Sequence, residues 1–209
     1  MKKIGLFYGG TTAKTAVVAL KIQEAFAENE VVLIPIEGAT RKEFESFDNI
    51  IAGTSTWFDG ELPTYWDEFM PEIESIDMTG KKVALFGLGD QERYPDNFVD
   101  GIGILAEAFT KSNAELIGFM PVNDYHFTQS RAVKEGHFLG LPPRYREPVR
   151  TNGGTDTEMG GETEKGVSII FAFVSALGRE LCRSKILLTN RYNLGTDFTE
   201  NTEKINSSV

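Results

Sequence analysis

The stretch GLFYGGTTAKTA, residues 5–16, passes from an apolar segment through two glycines and two threonines into a segment with the residue types of a helix. Small and hydroxylated residues at the N-terminus of a helix are typical of a phosphate-binding loop, because the free backbone N–H groups and the helix dipole there favour an anion. This stretch therefore predicts a strand, a phosphate-binding loop and a helix in succession.

Two common nucleotide-binding patterns do not fit this loop. A P-loop of the form G-x-x-x-x-G-K-[ST] would use Lys14 and Thr15, but it requires glycines where the chain has Tyr8 and Ala13. The dinucleotide pattern G-x-G-x-x-G is absent as well. Because Lys14 is the one cation in the loop, the sequence favours a single phosphate monoester, held mostly by neutral donors, over a triphosphate.

Alternating strands and helices are predicted throughout residues 1–141. The predicted strands are KKIGLFY, EVVLIPI, NIIAGTS and KKVALFGLG, and AELIGFMPV begins a fifth. The predicted helices are AKTAVVALKIQEAFAEN and DNFVDGIGILAEAFTKS. Nearly continuous apolar strands indicate a parallel sheet that is covered on both faces. The expected fold class is therefore α/β, a doubly wound parallel sheet of five strands with helices on both faces.

Polar stretches follow three of these strands. They are GGTTAKT after the first strand, TSTWFDGE after the third and GLGDQERYPDN after the fourth. In doubly wound sheets ligands bind outside the carboxyl ends of the strands. We therefore expect the three loops to converge on one crevice that holds the ligand.

The net charge of −10 is unevenly distributed along the 209 residues. Residues 142–209 contain equal numbers of acidic and basic residues, so the whole excess of negative charge falls on residues 1–141. This argues against nucleic acid, which requires a basic surface, and it suits either positively charged partners or solubility alone. The single cysteine, Cys182, excludes an internal disulfide and predicts a reducing, cytoplasmic location.

A change of composition after residue 141 predicts a domain boundary. Residues 1–141 form the expected α/β domain, and residues 142–209 form an atypical C-terminal segment. Within that segment we expect a linker rich in Pro, Gly and Thr, a closing helix over residues 166–184 and a polar tail. The apolar run GVSIIFAFVSALG is too short to span a bilayer.

Three motifs in residues 1–141 resemble those of the flavodoxins, small electron carriers that use FMN. The motifs are STWFDGELPTYWDEF, FGLGDQERYPDNF and GIGILAE, and PVNDYHFTQSRAVKEGHFLGL resembles the extra segment of long-chain flavodoxins. The resemblance implies the flavodoxin-like fold, non-covalently bound FMN and low-potential one-electron transfer between partner proteins. It implies neither catalytic residues nor a metal.

The resemblance also implies which residues hold FMN. The phosphate loop of the family, [TS]-x-T-G-x-T, corresponds to residues 10–15, and Trp57 and Tyr94 correspond to the aromatic residues that flank the two faces of the flavin ring. Asp90 and Asn97 are expected either to bond the polar edge of the flavin, mostly through the backbone, or to form turns and cap helices. The full expected set is Gly10, Thr11, Thr12, Ala13, Lys14, Thr15, Ser55, Thr56, Trp57, Phe58, Gly60, Leu88, Gly89, Asp90, Tyr94 and Asn97.

The chain departs from the family pattern at several of these positions. Gly10 replaces a hydroxyl residue and Ala13 replaces glycine, so we expect phosphate binding weaker by roughly 1.5–3 kcal/mol unless Thr11 substitutes. The peptide after Trp57, whose carbonyl accepts a hydrogen bond from the reduced flavin in the family, follows Phe58 here. Because phenylalanine tolerates positive φ poorly, we expect the flexibility of this turn to rest on Asp59 and Gly60, and the one-electron-reduced flavin to be less stabilised than in relatives.

An acidic run without a basic residue follows Trp57. It comprises Asp59, Glu61, Asp67, Glu68, Glu72, Glu74 and Asp77. With the resemblance, it predicts transient, salt-sensitive docking of a monomer to basic-faced redox proteins, namely reductases of the flavodoxin/ferredoxin type and electron-accepting oxidoreductases.

Three alternatives remain open at this point. The first is an FMN-dependent NAD(P)H or quinone reductase on the same fold, although the acidic run disfavours a nucleotide substrate. The second is a receiver-like switch, which the strand end FYGG disfavours because it lacks an acidic cluster. The third is a flavin-free relic, suggested by Gly10 and Ala13. His126 and His137 lack neighbours with metal-ligand spacing and are interpreted as structural.

Overall fold

A computed structural model describes residues 3–10, 13–143 and 162–181 of the chain. Thr11 and Thr12 of the predicted phosphate loop lie outside the described residues. So do most of the predicted linker, the last three residues of the predicted closing helix, including Cys182, and all of the predicted polar tail.

Parallel strands build the central sheet. They are β1 (Ile4–Tyr8), β2 (Val31–Pro35), β3 (Asn49–Ser55), β4 (Lys82–Leu88) and β5 (Glu115–Ile117). Their order is β2-β1-β3-β4-β5, and every neighbouring pair is parallel. β1, β3 and most of β4 are buried, as the continuous apolar strands predicted. The strand order reverses beside β1, which makes the carboxyl ends of β1 and β3 the expected place for a ligand.

Helices cover both faces of the sheet, which confirms the predicted fold class. They are α1 (Ala13–Ala25), the short α2 (Arg41–Glu45), α3 (Thr64–Ser75), α4 (Asp100–Lys111) and α5 (Glu162–Leu181). α1 packs with α5, and α3 packs with α4. Since crossovers between parallel strands are right-handed, a sheet of this order places α1 on one face and α3 and α4 on the other.

Helix α3 was not among the predicted helices, because residues 59–77 were interpreted only as an acidic run. The helix is amphipathic: Trp66, Phe69 and Ile73 are buried while its acidic residues are exposed. The Trp66 indole Nε1–H donates to the Gly53 carbonyl at 2.9 Å, so this ring fills the core and satisfies its polar atom at the end of β3.

The fifth strand is interrupted, which corrects the prediction for AELIGFMPV. β5 begins as expected but leaves the sheet after Ile117, and the chain returns at Leu141, which pairs in parallel with Phe86. Residues 118–140 between these points include a small antiparallel sheet. Its strands are β6 (Met120–Pro121), β7 (Val133–Lys134) and β8 (His137–Phe138), in the order β6-β8-β7.

An aromatic cluster joins this inserted segment to the rest of the fold. The ring of Phe98, before α4, lies 5.4 Å from Phe127 and 5.9 Å from Phe138 between centroids, and Tyr125 lies 5.0 Å from Phe138. Edge-on and offset ring pairs at these distances stabilise the contact beyond simple area burial. The insert is therefore packed onto the main core.

Helix α5 contributes to the same hydrophobic core as the sheet. Ile170, Phe173, Val174 and Leu177 are buried with the strand residues. The helix also approaches the insert junction, since a Cβ atom placed on Gly118 would lie 2.7 Å from Leu177 Cδ2 and 2.9 Å from Phe173 Cε2. Within the described residues, no helix combines the length and the apolar character needed to cross a bilayer.

Candidate functional site

The first loop leaves the sheet at the carboxyl end of β1. The Gly9 N–H donates to the Gly53 carbonyl at 3.0 Å, which holds this loop against the end of β3. A Cβ atom on Gly9 would lie 2.2 Å from Ile36 Cγ2 and 3.2 Å from the Trp66 indole nitrogen, so only glycine allows the chain to pass here. The loop ends at Ala13, which begins α1.

Two buried hydroxyl groups lie beside this loop without a hydrogen-bond partner in the described part of the chain. They belong to Thr15, in the first turn of α1, and Ser55, the last residue of β3. Thr15 is 1% exposed. Buried polar groups are normally paired, so unpaired hydroxyls at a helix N-terminus indicate a place for an anionic ligand. The residues present therefore fit a phosphate group.

The second loop forms a tight turn around Trp57. Trp57 and Glu61 exchange backbone hydrogen bonds at 2.9 and 2.8 Å, and the Gly60 N–H donates to the Trp57 carbonyl at 3.0 Å. Trp57 is half-buried, and Phe58 is 74% exposed with its ring 5.7 Å from the indole. The turn thus presents aromatic surface at the carboxyl end of the sheet.

The expectation about Phe58 is corrected by its backbone. Phe58 itself has a positive φ of 39°, and Gly60 has a φ of 97°. We expected the flexibility of this turn to come from Asp59 and Gly60 and not from Phe58. The backbone hydrogen bonds between Trp57 and Glu61 hold Phe58 in the left-handed conformation as well.

The third loop follows β4 and contacts the second. The Thr56 N–H donates to the carbonyl of Leu88 at 2.9 Å, and the Thr56 hydroxyl accepts from the Gly101 N–H of α4 at 3.1 Å. Gly89 is exposed, and a Cβ atom there would lie 2.8 Å from the Val99 nitrogen. These contacts fix the second and third loops relative to each other and to α4.

Asp90 uses its side chain to shape the third loop. Its Oδ1 accepts from the N–H groups of Glu92 and Arg93 at 3.0 and 3.1 Å, and its carbonyl accepts from the Tyr94 N–H at 2.9 Å. The Asp90 side chain therefore forms a turn, and the expected contact of its backbone with the flavin stays a prediction. The turn presents Tyr94 to solvent, with 56% of the residue exposed.

Asp100 is a buried residue beside the second loop that the sequence analysis missed. It is 6% exposed, and its Oδ1 accepts from the Arg131 N–H at 2.7 Å. A Cβ atom on Gly60 would lie 2.7 Å from Asp100 Oδ2 and 3.4 Å from Asn97, so the turn after Trp57 rests on these residues. Burial raises the pKa of the Asp100 carboxyl, and the bond from Arg131 opposes that rise. The residues next to Asp100 in the sequence do not indicate that it is buried, because Arg131 and Gly60, which contact it, lie far from it in the chain.

The acidic run divides into two parts in space. All seven carboxylates are exposed. Asp59, Glu61, Asp67 and Glu68 lie in or just after the second loop, beside the crevice, whereas Glu72, Glu74 and Asp77 lie at the other end of α3. At that far end Arg41 lies 3.8 Å from Glu72. Four of the seven carboxylates of this run therefore lie at the end of α3 that adjoins the second loop.

Contacts join seven of the fourteen predicted site residues that the structure describes. Gly10 and Thr15 adjoin Ser55, Thr56 adjoins Leu88, and Gly60 adjoins Asn97. Ala13 and Lys14 begin α1. Across the described residues, no group of three or more His, Cys, Asp and Glu side chains is arranged to hold a metal ion.

Fold and site together define a doubly wound α/β protein whose loops at the carboxyl ends of the strands fit a phosphate-bearing ligand. The flavodoxin family model matches residues 6–138. The chain is 46% identical to a flavodoxin of Trichodesmium erythraeum and 43% identical to one of Synechocystis, over 68% of this chain and 84% of each relative. The chain belongs to the flavodoxin family, whose members are electron-transfer proteins rather than enzymes.

Solved structures agree with this assignment. The structure of a Fusobacterium nucleatum flavodoxin bound to flavin mononucleotide superposes with a TM-score of 0.73 at 26% identity, covering 86% of this chain and 99% of that one. A flavodoxin 2 from Bacillus cereus superposes with a TM-score of 0.58 at 27% identity.

Proposed function

We propose that this flavodoxin carries electrons one at a time on non-covalently bound FMN, between basic-faced redox proteins. The observation that carries the proposal is that the loops after β1, β3 and β4 adjoin one another at the carboxyl ends of the strands. Within the described residues, two buried hydroxyls there have no hydrogen-bond partner, and the aromatic residues Phe58 and Tyr94 of the second and third loops are exposed. Bound FMN supplies the redox chemistry, because its ring accepts and releases electrons singly.

The residues of this chain have separate tasks in the proposal. The backbone of residues 10–15 and the buried hydroxyls beside it bind the phosphate. Trp57 and Tyr94 flank the ring and exclude water from its faces. Backbone groups near Gly89, Asp90 and Asn97 face the polar edge of the ring. α5 completes the core beneath the proposed FMN-binding domain of residues 1–141, and its buried side chains support that domain rather than the ligand.

The acidic surface beside the crevice serves docking in this proposal. Its four carboxylates, Asp59, Glu61, Asp67 and Glu68, lie next to the expected position of the ring edge, so a partner attracted to them arrives where the electron leaves. A charge of −10 favours a monomer through self-repulsion. A single cysteine fits work in the reducing cytoplasm.

A purification without added cofactor tests the FMN part of the proposal. We expect a yellow protein that releases FMN on denaturation, and apo-protein that quenches the fluorescence of added FMN. A colourless protein that leaves FMN fluorescence unchanged would favour the flavin-free alternative. Bleaching of the flavin by NADPH alone would favour the reductase alternative.

Docking is tested by electron transfer from the reduced protein to a basic cytochrome at several ionic strengths. We expect the second-order rate constant to fall as salt rises, and Asp67→Asn with Glu68→Gln to lower both the rate at low salt and its salt dependence. The matched control, Glu24→Gln with Glu28→Gln, removes two exposed carboxylates at the C-terminal end of α1, away from the three loops. Equal effects of the two double variants would mean that net charge acts, and not the surface beside the crevice.

A further inference from the structure

β5 forms one edge of the central sheet, and its outer side has no partner strand in the described part of the chain. The Glu115 N–H donates to the Lys81 carbonyl at 3.0 Å, so the backbone groups of Glu115 face β4. In a parallel ladder the next residue presents its backbone groups to the opposite side, and those of Leu116 therefore point away from the sheet. They make no hydrogen bond within the described residues. An unpaired edge of this kind is a template for another strand.

A groove of about 990 Å³ adjoins this edge, so another segment of chain has room there. It is lined by residues of α4, by residues of the inserted segment and by Glu180, which lies one residue before the end of α5. Leu116 and Phe119 contribute apolar surface, and Phe119 is 48% exposed. Exposed apolar surface beside an unpaired strand edge favours an occupant with apolar side chains.

The charged side chains of the groove include more acids than bases. The carboxylates are Glu107, Glu115, Glu135 and Glu180, and the cations are Lys111, Arg131 and Lys134. Glu107 pairs with Lys111 and Arg131 at 2.9 and 3.5 Å, whereas Glu135 and Glu180 form no ion pair within the described residues. The groove therefore suits an occupant that brings cations together with its apolar side chains.

The chain has a stretch of this composition shortly after α5. Residues 185–189, KILLT, contain the only run of three apolar residues after Leu181. Arg183 precedes this stretch and Arg191 follows it, and no acidic residue occurs between Glu180 and Asp197. Residues 185–189 lie outside the described residues, so the match rests on their sequence and on the geometry of the groove.

We propose that residues 185–189 pair with the outer edge of β5 and place apolar side chains in the groove. The chain leaves α5 beside the groove, because Glu180 lines it and α5 ends one residue later. The five residues from Leu181 to Ile186 reach up to about 17 Å when extended, whereas a three-residue strand is only about 10 Å long. The pairing gives the sheet a sixth strand and covers its open edge.

The position of α5 decides the direction of this pairing. Leu141, which precedes α5, pairs in parallel with Phe86, and α5 packs with α1 on the face opposite α4. A parallel strand outside β5 would therefore complete a left-handed crossover, which protein chains avoid. An antiparallel strand meets no such restriction, so residues 185–189 run opposite to β5 in this proposal.

Amide hydrogen exchange of the full chain, followed by NMR, tests the pairing at a single atom. We expect the Leu116 N–H to exchange slowly in the wild-type protein, because residues 185–189 supply its acceptor. Leu187→Asp places a charge among apolar side chains and should speed this exchange about tenfold or more. The Glu115 and Ile117 N–H groups, which face β4, should stay protected and so report that the variant is folded.

Two further variants separate the groove from the rest of the C-terminal segment. Leu194→Asp is the matched control, because it introduces the same charge outside residues 185–189 and should leave Leu116 exchange as in the wild type. Phe119→Asp changes the groove instead, at a half-exposed position outside the core. It should speed Leu116 exchange as Leu187→Asp does, and the two changes together should add little more.

Several results would overturn the inference. A wild-type Leu116 N–H that exchanges as fast as an unprotected amide would show an open edge. Protection that persists in Leu187→Asp would show another occupant: a second copy of the chain if protection falls on dilution, and a different segment if it does not. An equal effect of Leu194→Asp would assign the change to added charge alone. None of these results bears on FMN binding, which is tested separately above.

Discussion

Phe58 adopts a conformation that its residue type disfavours. A φ of 39° is uncommon for a bulky side chain, and its ring is 74% exposed, so little packing energy compensates locally. The compensation comes from the backbone bonds between Trp57 and Glu61 on either side. The preference of phenylalanine for negative φ therefore predicted the wrong residues for the left-handed conformation. The hydrogen bonds of the whole turn determine which residues adopt it.

The buried carboxyl of Asp100 leads to a prediction about how stability depends on pH. Burial raises the pKa of its carboxyl above the ordinary value of 3.8, so the folded protein binds this proton more tightly than the unfolded chain does. The group therefore lowers the free energy of unfolding as pH rises through its folded-state pKa. We expect Asp100→Asn, which keeps an oxygen for the Arg131 N–H, to gain stability relative to wild type as pH rises from about 4 to about 7.

Urea unfolding of apo-protein across this pH range checks the prediction. Asp96→Asn is the matched control, because Asp96 is exposed on the same loop and should follow the wild-type profile. A stability difference between Asp100→Asn and wild type that does not change with pH would show that the Asp100 carboxyl does not couple its protonation to folding.

At the scale of elements, α3 is a helix that was not predicted although its sequence has the spacing of a helix. Trp66, Phe69 and Ile73 have the spacing of one helical face, so the signal was present in the sequence. Dense negative charge and Pro71, which lies inside the helix, concealed it. The three ligand loops were predictable because strand ends in a parallel sheet meet at one edge. The interruption of β5 was not, since it depends on pairing between residues far apart in the chain.

The proline inside α3, Pro71, leads to a prediction about the stability of this helix. Inside α3 it cannot donate the backbone hydrogen bond of its turn, and an interior proline is about 3 kcal/mol less favourable than alanine, partly offset by its restriction of the unfolded chain. We expect Pro71→Ala to raise the free energy of unfolding by about 2 kcal/mol in urea titrations. Glu68→Ala, an exposed change on the same helix, should alter it by less than about 0.5 kcal/mol. A destabilised Pro71→Ala would show that the proline bends α3 to fit the core.

At the scale of the whole molecule, α5 belongs to the same hydrophobic core as the sheet. A closing helix was predicted over residues 166–184 from its apolar run alone, and the structure has α5 over Glu162–Leu181 with Phe173 fully buried. The division of the chain into a domain of residues 1–141 and a separate C-terminal segment stays a prediction. The packing of α5 against α1 links the two parts physically.

Removal of the Phe173 ring tests this link. Phe173→Ala should lower the free energy of unfolding by about 3–5 kcal/mol, because a cavity forms where the ring met the core. Phe171 is half-buried on the same helix, so Phe171→Ala should cost about 1–2 kcal/mol. Denaturant unfolding with matched slopes measures both. Equal, small losses in the two variants would mean that α5 is not part of the cooperative core.

The interrupted fifth strand marks a place where a segment of different length could be joined to the sheet. Ile117 and Leu141 pair with Ala84 and Phe86, two positions apart on β4, so a single residue would bridge the gap that the inserted segment spans by its long excursion. Glycines mark both junctions, with Gly118 at a φ of 77° and Gly140 pressed against the Leu85 carbonyl. A foreign peptide grafted between them would begin and end on anchored backbone. The graft would remove contacts of the third loop, because the His126 N–H donates to Gln91 Oε1 and the Thr128 and Gln129 N–H groups donate to the Pro95 carbonyl.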